Sequence, residues 1–285
     1  MQSDPATLLD RRTDVRFIHI TDTHVAADPA YSSFGRSPRA NLAAIVEAIN
    51  ALTFPIDFVL HTGDVVEDGS EVSYQAAREI LARLRLPIHF VAGNHDDGDF
   101  LQRVLLERRP PLPRLDYDFT ADGVLVSVFD SRGPRDPAGT LLDEQLAALR
   151  GLCVPQGPPL VIAIHHPPLP LDSVWLNDGW ATPMGHTTTM LLDRGSEFLE
   201  AIAPARDRIR GVFFGHVHRA FQVMHKGILF SSAPSGFGQF LTWPGQDHPE
   251  ASPAEPAGFS LVTIAAGMTT VRQHSVPTPG AASNA

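Results

Sequence analysis

Apolar residues fall in short, near-continuous blocks along the chain. The clearest are RFIHI (16–20), DFVLH (57–61), IHFVA (88–92), VLVSVF (124–129), LVIAI (160–164), GVFF (211–214), ILFSS (228–232) and FSLVTI (259–264). Blocks of this length and density predict strands covered on both faces. Between several of them the apolar period changes to that of a helix. ANLAAIVEAINAL (40–52) puts Leu42, Ile45, Val46 and Ile49 on one face, and 73–84 does the same with Ala77, Ile80, Leu81 and Leu84. Shorter helices are expected at 142–149 and 197–202. Strands and helices alternate early, and the late strands follow each other with little helix between them. That order predicts an α/β sandwich rather than a simple doubly wound sheet. No repeat or linker divides the chain. The expected organisation is an N-terminal arm (1–14), one domain (15–275) and a loose tail (276–285). Two stretches break the pattern: 167–191, too long for an ordinary connection and expected to form a cap-like loop, and 243–258, rich in Pro, Glu and Ala and expected to be a mobile excursion.

The residues just past each strand are more informative than the strands themselves. After RFIHI come Thr21, Asp22, Thr23 and His24; after DFVLH come Thr62, Gly63 and Asp64. After IHFVA come Gly93, Asn94, His95 and Asp96; after LVIAI come His165 and His166; after GVFF come Gly215, His216, Val217 and His218. Each alone is weak, since Gly, Asn and Asp favour turns and a histidine at a strand end is often a hydrogen-bonded core residue. Five strand ends with one vocabulary are a different matter, because parallel strands bring their carboxyl ends to one edge, where ligands bind. Imidazoles, carboxylates and one carboxamide without a thiolate suit Mn, Fe, Zn or Co. The set is too large for one tetrahedral ion and fits two ions sharing a carboxylate. His19, His61, His89, His225, His248 and His274 are expected to pack or face solvent.

Composition narrows the function. A formal net charge of -10 over 285 residues disfavours nucleic-acid backbones and anionic lipid as partners. The one cysteine, Cys153, allows neither an intramolecular disulfide nor a Cys-based zinc site. MQSDPATLLDRR lacks the apolar core of a signal peptide, and no stretch reaches the roughly 20 apolar residues of a membrane helix. A soluble, cytoplasmic protein is expected.

DTH (22–24), GD (63–64), GNHD (93–96), HH (165–166) and GHVH (215–218) resemble, in order, the five signatures of the calcineurin-like metallophosphoesterases. HITDTH, GNHDD and IHHPPLPL are most similar to class III cyclic nucleotide phosphodiesterases and bacterial glycerophosphodiesterases. The resemblance implies a four-layer αββα sandwich of two mixed β-sheets, with the metal site at the strand C-terminal ends. It implies Asp22, His24 and His218 on one metal, Asn94, His165 and His216 on the other, and Asp64 bridging. His95 would meet the phosphate and protonate the leaving group, with Asp96 steadying its ring. The implied reaction is hydrolysis of a small phosphodiester, a cyclic nucleotide or glycerophosphodiester, by a metal-bridging hydroxide. The alternatives are a phosphomonoesterase or pyrophosphatase on the same scaffold, or a non-catalytic interaction scaffold. Monoesterases of the superfamily continue their second motif as Asp-Arg-Gly; here Val65, Val66, Glu67 and Asp68 come after Asp64, which favours a diester. His166, Arg36, Asn41, Trp175 and His186 are expected around the substrate. Relatives of this kind commonly form homodimers or larger assemblies.

Overall fold

Each apolar block divides its side chains between two faces. In the strand Val15–Ile20, Val15 and Phe17 point one way, Ile18 and Ile20 the other, and all four are fully buried. A strand covered on both sides needs a layer above and a layer below. The computed structural model supplies both; it describes residues 14–33, 35–134, 136–177, 180–181 and 187–277.

The first sheet has five strands in the order Met268–Ser275, Gly258–Ala265, Val15–Ile20, Phe58–His61, Ile88–Phe90. The last three are mutually parallel, and Gly258–Ala265 runs antiparallel to both of its neighbours. The second sheet has six, in the order Gln222–His225, Ile228–Ser232, Ile209–Phe214, Leu160–Ala163, Val124–Val128, Tyr117–Ala121. Its four central strands are parallel and its two edges antiparallel. Phe17, Phe58, Leu60 and Val262 of the first sheet meet Val126, Val161, Ala163 and Phe213 of the second. Phe17 stacks on Phe58 at 4.9 Å between centroids and takes the edge of Phe213 at 5.1 Å.

Helices Pro38–Asn50 and Glu71–Leu81 cover the outer face of the first sheet with Leu42, Ile45, Val46, Tyr74 and Ala77. Asp143–Leu152 and Gly195–Ile202 cover the second with Leu146, Leu149, Phe198 and Ile202. The result is the four-layer αββα sandwich. The first two helices begin two residues earlier than their apolar period indicates. Ser37 and Ser70 accept the Ala40 and Ser73 amide N–H groups, and such capping residues lie outside any apolar pattern.

In the two large sheets, three strands lack an apolar block: Tyr117–Ala121, Gln222–His225 and Met268–Ser275. All are edge strands with one face toward solvent. Segment 243–258 is not a loose excursion. Glu250–Ser252 pairs with Gln239–Leu241, and Arg219 holds Glu255 in an ion pair. Segment 167–191 contains a short helix, Val174–Asn177, and two paired strands, Trp180–Ala181 and Thr187–Thr188. Of the expected tail, Val276 is buried and donates its N–H to the Ala257 carbonyl. Residues 278–285 and arm residues 1–13 lie outside the described residues.

Candidate functional site

The carboxyl ends of the parallel strands in both sheets meet at one edge. Asp22 N–H donates to the Gly63 carbonyl at 3.0 Å, and His24 N–H to the Asp64 carbonyl at 3.0 Å. The Asp22 carboxylate accepts His216 N–H from the other sheet at 3.0 Å. The backbone here is strained. Nine described residues other than glycine have positive φ, and five of them are Asp22, His24, Asp64, His216 and His218. Non-glycine residues in the left-handed region cost of order 1–3 kcal/mol each and gather at functional sites. The other four lie outside the cluster, three of them in hairpin turns next to a glycine.

The turns at the site also need close backbone approach. Gly63 has φ +103°, and a Cβ there would overlap the His165 ring and the Gly93 backbone. A Cβ at Gly93 would overlap the Asp64 carboxylate. Glycine before Asp64 and before Asn94 is therefore a steric requirement.

Asp64 sits at the centre. Its Oδ2 is 3.6 Å from His24 Nε2 on one side and 3.3 Å from His165 Nε2 on the other. Asp22, His24, Asp64 and His218 form one group of donor atoms, with His24 Nε2 and His218 Nε2 3.0 Å apart. Beyond Asp64, His165 Nε2 lies 3.1 Å from Asn94 Oδ1 and 3.2 Å from His216 Nδ1. Other contacts hold the far sides of the rings. His24 Nδ1 meets Glu67 Oε2 at 2.8 Å, His165 Nδ1 donates to the Thr62 carbonyl at 2.7 Å, and His218 Nδ1 to the Gly238 carbonyl at 3.1 Å. Imidazoles fixed in this way present the remaining nitrogen to a metal.

The charges agree with a cation site. Burial first, then neighbouring imidazoles, hold His216 and His218 well below their ordinary value, so both are neutral and able to coordinate. Burial drives the Asp22 carboxyl up to about 6, against the pull of His165. Burial opposes the charge on His165 too, but Asp64 overcomes it and raises the imidazole to about 9. A buried cluster that draws a proton between Asp64 and Asn94 calls for positive charge there. The donor set and its electrostatics therefore fit transition-metal ions.

A cavity of about 320 Å³ opens over the cluster. His24, Asp64, Asn94, His95, His216 and His218 form its polar floor; Tyr31, Trp175, Met190, Phe237, Phe240 and Pro249 stand in its walls. No arginine or lysine lines it among the described residues. His95 is exposed to the cavity. Its N–H donates to Asp64 Oδ1 at 2.9 Å, and its ring Nδ1 to the Glu67 carbonyl at 2.7 Å.

The Glu67 contact corrects the role expected of Asp96. The Asp96 carboxylate does not hold the His95 ring. It is buried and accepts the Gly93 and Val65 N–H groups at 2.9 and 3.1 Å and the Tyr74 hydroxyl at 2.8 Å. It fixes the loop rather than the ring. Trp175 is a buried wall residue whose indole N–H donates to the Leu241 carbonyl at 3.2 Å. Arg36 donates to the Pro253 carbonyl and Asn41 to the Phe237 carbonyl, so both brace loops and neither lines the cavity. His166 is fully buried behind His165 and His216 and does not line it either. His186 lies outside the described residues. His19, His61 and His89 pack within the sandwich, where burial lowers each imidazole.

Glu67 is not among the site residues expected from the sequence. Its carboxylate orients His24 and accepts the Tyr31 hydroxyl at 3.1 Å.

Comparison with known proteins agrees with this geometry. The calcineurin-like phosphoesterase family model matches residues 15–220. The chain belongs to that family. It is accordingly a metal-dependent phosphoester hydrolase, and its Asp and His cluster lies within the matched residues. It is similar to the 3',5'-cyclic adenosine monophosphate phosphodiesterase CpdA of Vibrio vulnificus, with 30% identity over 79% of this chain and 78% of the relative. A 3',5'-cyclic-nucleotide phosphodiesterase of Nostoc sp. is 27% identical over 94% of this chain and 95% of its own. Among solved structures, a purple acid phosphatase from yellow lupin seeds shares the fold, with a TM-score of 0.56 at 15% identity over 92% of this chain. The chain spans about half (51%) of the length of that phosphatase.

Proposed function

We propose that the chain hydrolyses a phosphodiester bond in a 3',5'-cyclic nucleotide, using two transition-metal ions. The observation that carries this is the cluster centred on Asp64 at the floor of a cavity with no cationic side chain among its described lining residues. Asp22, His24, Asp64 and His218 would hold one ion, and Asp64, Asn94, His165 and His216 the other. When bound, such ions supply positive charge against phosphate oxygens and lower the pKa of water. Asp64 orients the His95 backbone, and the Glu67 carbonyl occupies His95 Nδ1. His95 Nε2 is then the ring atom that can carry a proton to the departing oxygen.

The walls favour a diester over a monoester. Arg36, Arg39 and Arg219, the candidate substitutes for the arginine missing after Asp64, are engaged with Pro253, with Ala26 and Ala27, and with Glu255. Glu67, half-buried at the cavity, is kept ionised: burial opposes its charge, and the His24 contact outweighs burial. A dianionic monoester meets that carboxylate with no arginine to offset it; a monoanionic diester meets half the repulsion. The similarity to cyclic nucleotide phosphodiesterases over most of the chain supports the same substrate class.

The test compares bis(p-nitrophenyl) phosphate with p-nitrophenyl phosphate, then cyclic AMP with glycerophosphocholine. The protein is stripped of metal and reloaded with Mn(II), and Asp64→Ala is the control. Diester preference lost in the control, with turnover of the cyclic nucleotide, is the expected result. Preference for the monoester would reject this reading.

A further inference from the structure

Asn94 can serve as a ligand only with its oxygen turned to the cluster. An amide presents an oxygen on one face and an NH2 of nearly the same shape on the other. What it meets on each side therefore decides which face the ion would find. On the inner side Oδ1 lies 3.1 Å from His165 Nε2, which is itself 3.3 Å from Asp64 Oδ2. On the outer side Nδ2 donates to Asp136 Oδ1 at 2.8 Å. An ionised carboxylate only accepts hydrogen bonds. Asp136 thus binds the NH2 and repels the amide oxygen. With the amide reversed, the NH2 would face the donor cluster and two oxygens would face each other at Asp136.

Asp136 comes from a strand that supplies none of the proposed ligands. Val124–Val128 runs parallel to Leu160–Ala163, so its carboxyl end points to the same edge. The loop that follows is tied at its base. Thr140 N–H donates to the Ser131 carbonyl at 2.9 Å, and Asp130 accepts the Leu115 N–H at 3.1 Å and pairs with Arg132 at 2.6 Å. Its return leg is fixed by Gly139, whose N–H donates to the Leu191 carbonyl at 3.2 Å. A Cβ at Gly139 would overlap the His166 ring. Between these anchors Pro137 stands in the cavity wall, with Asp136 beside it against Asn94.

We propose that Asp136 is a positioning residue: it holds the Asn94 amide with Oδ1 toward His165 and so sets the affinity of the ion bound there. This rests on reading Asn94 as a ligand. The remaining proposed ligands need no such partner to choose an element, since their carboxylates offer oxygen, and their imidazoles nitrogen, on either side.

Two variants separate the hydrogen bond from the charge. Asp136→Asn keeps an acceptor for Asn94 Nδ2 and loses the charge; Asp136→Ala loses both. Asp136 is exposed, so neither change removes packing. Equilibrium dialysis against Mn(II), with bound metal counted by mass spectrometry, reads the affinity of each equivalent. Asp136→Ala is expected to weaken one of two equivalents by roughly 10-fold, the low end of the 10–100-fold effect of such partners, because water partly replaces an exposed acceptor. Asp136→Asn is expected to recover most of that loss. Asn94→Ala is expected to weaken the same equivalent, and adding Asp136→Ala to it is expected to cost nothing more. If Asn94→Ala binds both ions as the wild type does, the ligand reading fails and this proposal with it. If Asn94→Ala weakens one and Asp136→Ala binds like the wild type, the ligand reading stands and the positioning role is wrong. Equal weakening in Asp136→Asn and Asp136→Ala, or a further loss in the double variant, would show charge acting on the ion without Asn94 and would overturn the proposal as well.

Discussion

His95 reaches the cavity through one nitrogen only, since the Glu67 carbonyl takes the other. A residue that gives a proton to the leaving group matters most when that group is a poor one. His95→Gln is expected to keep its metal content and lose about 10²–10⁴ in kcat on a cyclic nucleotide, whose leaving group is an alkoxide. The loss on bis(p-nitrophenyl) phosphate is expected to be much smaller, because p-nitrophenolate departs without help. Equal losses on both substrates would assign His95 to phosphate binding alone. The residues brought together here were legible in the sequence because each lies just past a strand. Asp22, His24, Asp64, Asn94, His165, His216 and His218 needed only parallel strands to converge. The partners of those side chains were not legible. Glu67 reaches His24, and Asp96 reaches Val65 and Tyr74, across separations of 43, 31 and 22 positions. Nothing in a one-dimensional pattern records where such a side chain turns.

The strand–turn joints carry the strain that aims these side chains. Gly63 combines a left-handed backbone with contacts to His165 and Gly93. Gly63→Ala is expected to cost about 1–3 kcal/mol from backbone conformation alone, with the overlap added. The check is denaturant unfolding of the metal-free protein beside a metal-binding titration: both midpoint and affinity are expected to fall. Unchanged stability would mean the loop relaxes freely and the strain is unimportant. The central strands announced themselves as apolar blocks because both of their faces are covered. The edge strands Tyr117–Ala121, Gln222–His225 and Met268–Ser275 did not, because at least every second residue of the last two, and two of five in the first, faces water. Their hairpin turns, Asp122–Gly123, Lys226–Gly227 and Ala266–Gly267, all have positive φ at both positions. That is the signature of tight two-residue turns, and of the three only Asp122–Gly123 is a hairpin signal in the sequence. The ordering of 243–258 rests on long-range contacts such as Arg219 with Glu255, which its Pro-rich composition conceals.

The sandwich as a whole is expected to be sensitive to acid through buried histidines that have no part in the metal cluster. His19 is fully buried, and burial lowers it from 6.5 to about 3. Above pH 6.5 it is neutral in both folded and unfolded chains. Below that, the unfolded chain takes a proton that the native state refuses, so stability falls with pH until the folded value is reached. The loss is about 1.4 kcal/mol per pH unit, or about 2 kcal/mol by pH 5. His19→Gln, which can retain the contact with Thr62, is expected to flatten this slope in urea unfolding of the metal-free protein between pH 7.5 and 5. Parallel profiles for the two proteins would show that His19 is not the group responsible.

The proposed ligands are divided between the sheets. Asp22, His24, Asp64 and Asn94 extend from strands of the first; His165, His216 and His218 extend from strands of the second. Elsewhere the two halves meet through side chains such as Phe17 and Phe213, with no backbone ladder between them. An ion bound across that boundary would act as a removable rivet. It would stabilise the native state by an amount that grows with the logarithm of free metal, without adding to the core. Scarcity of metal would then shorten the life of the protein as well as silence it, since the idle form would also be the one whose two sheets part more readily under heat or proteolysis.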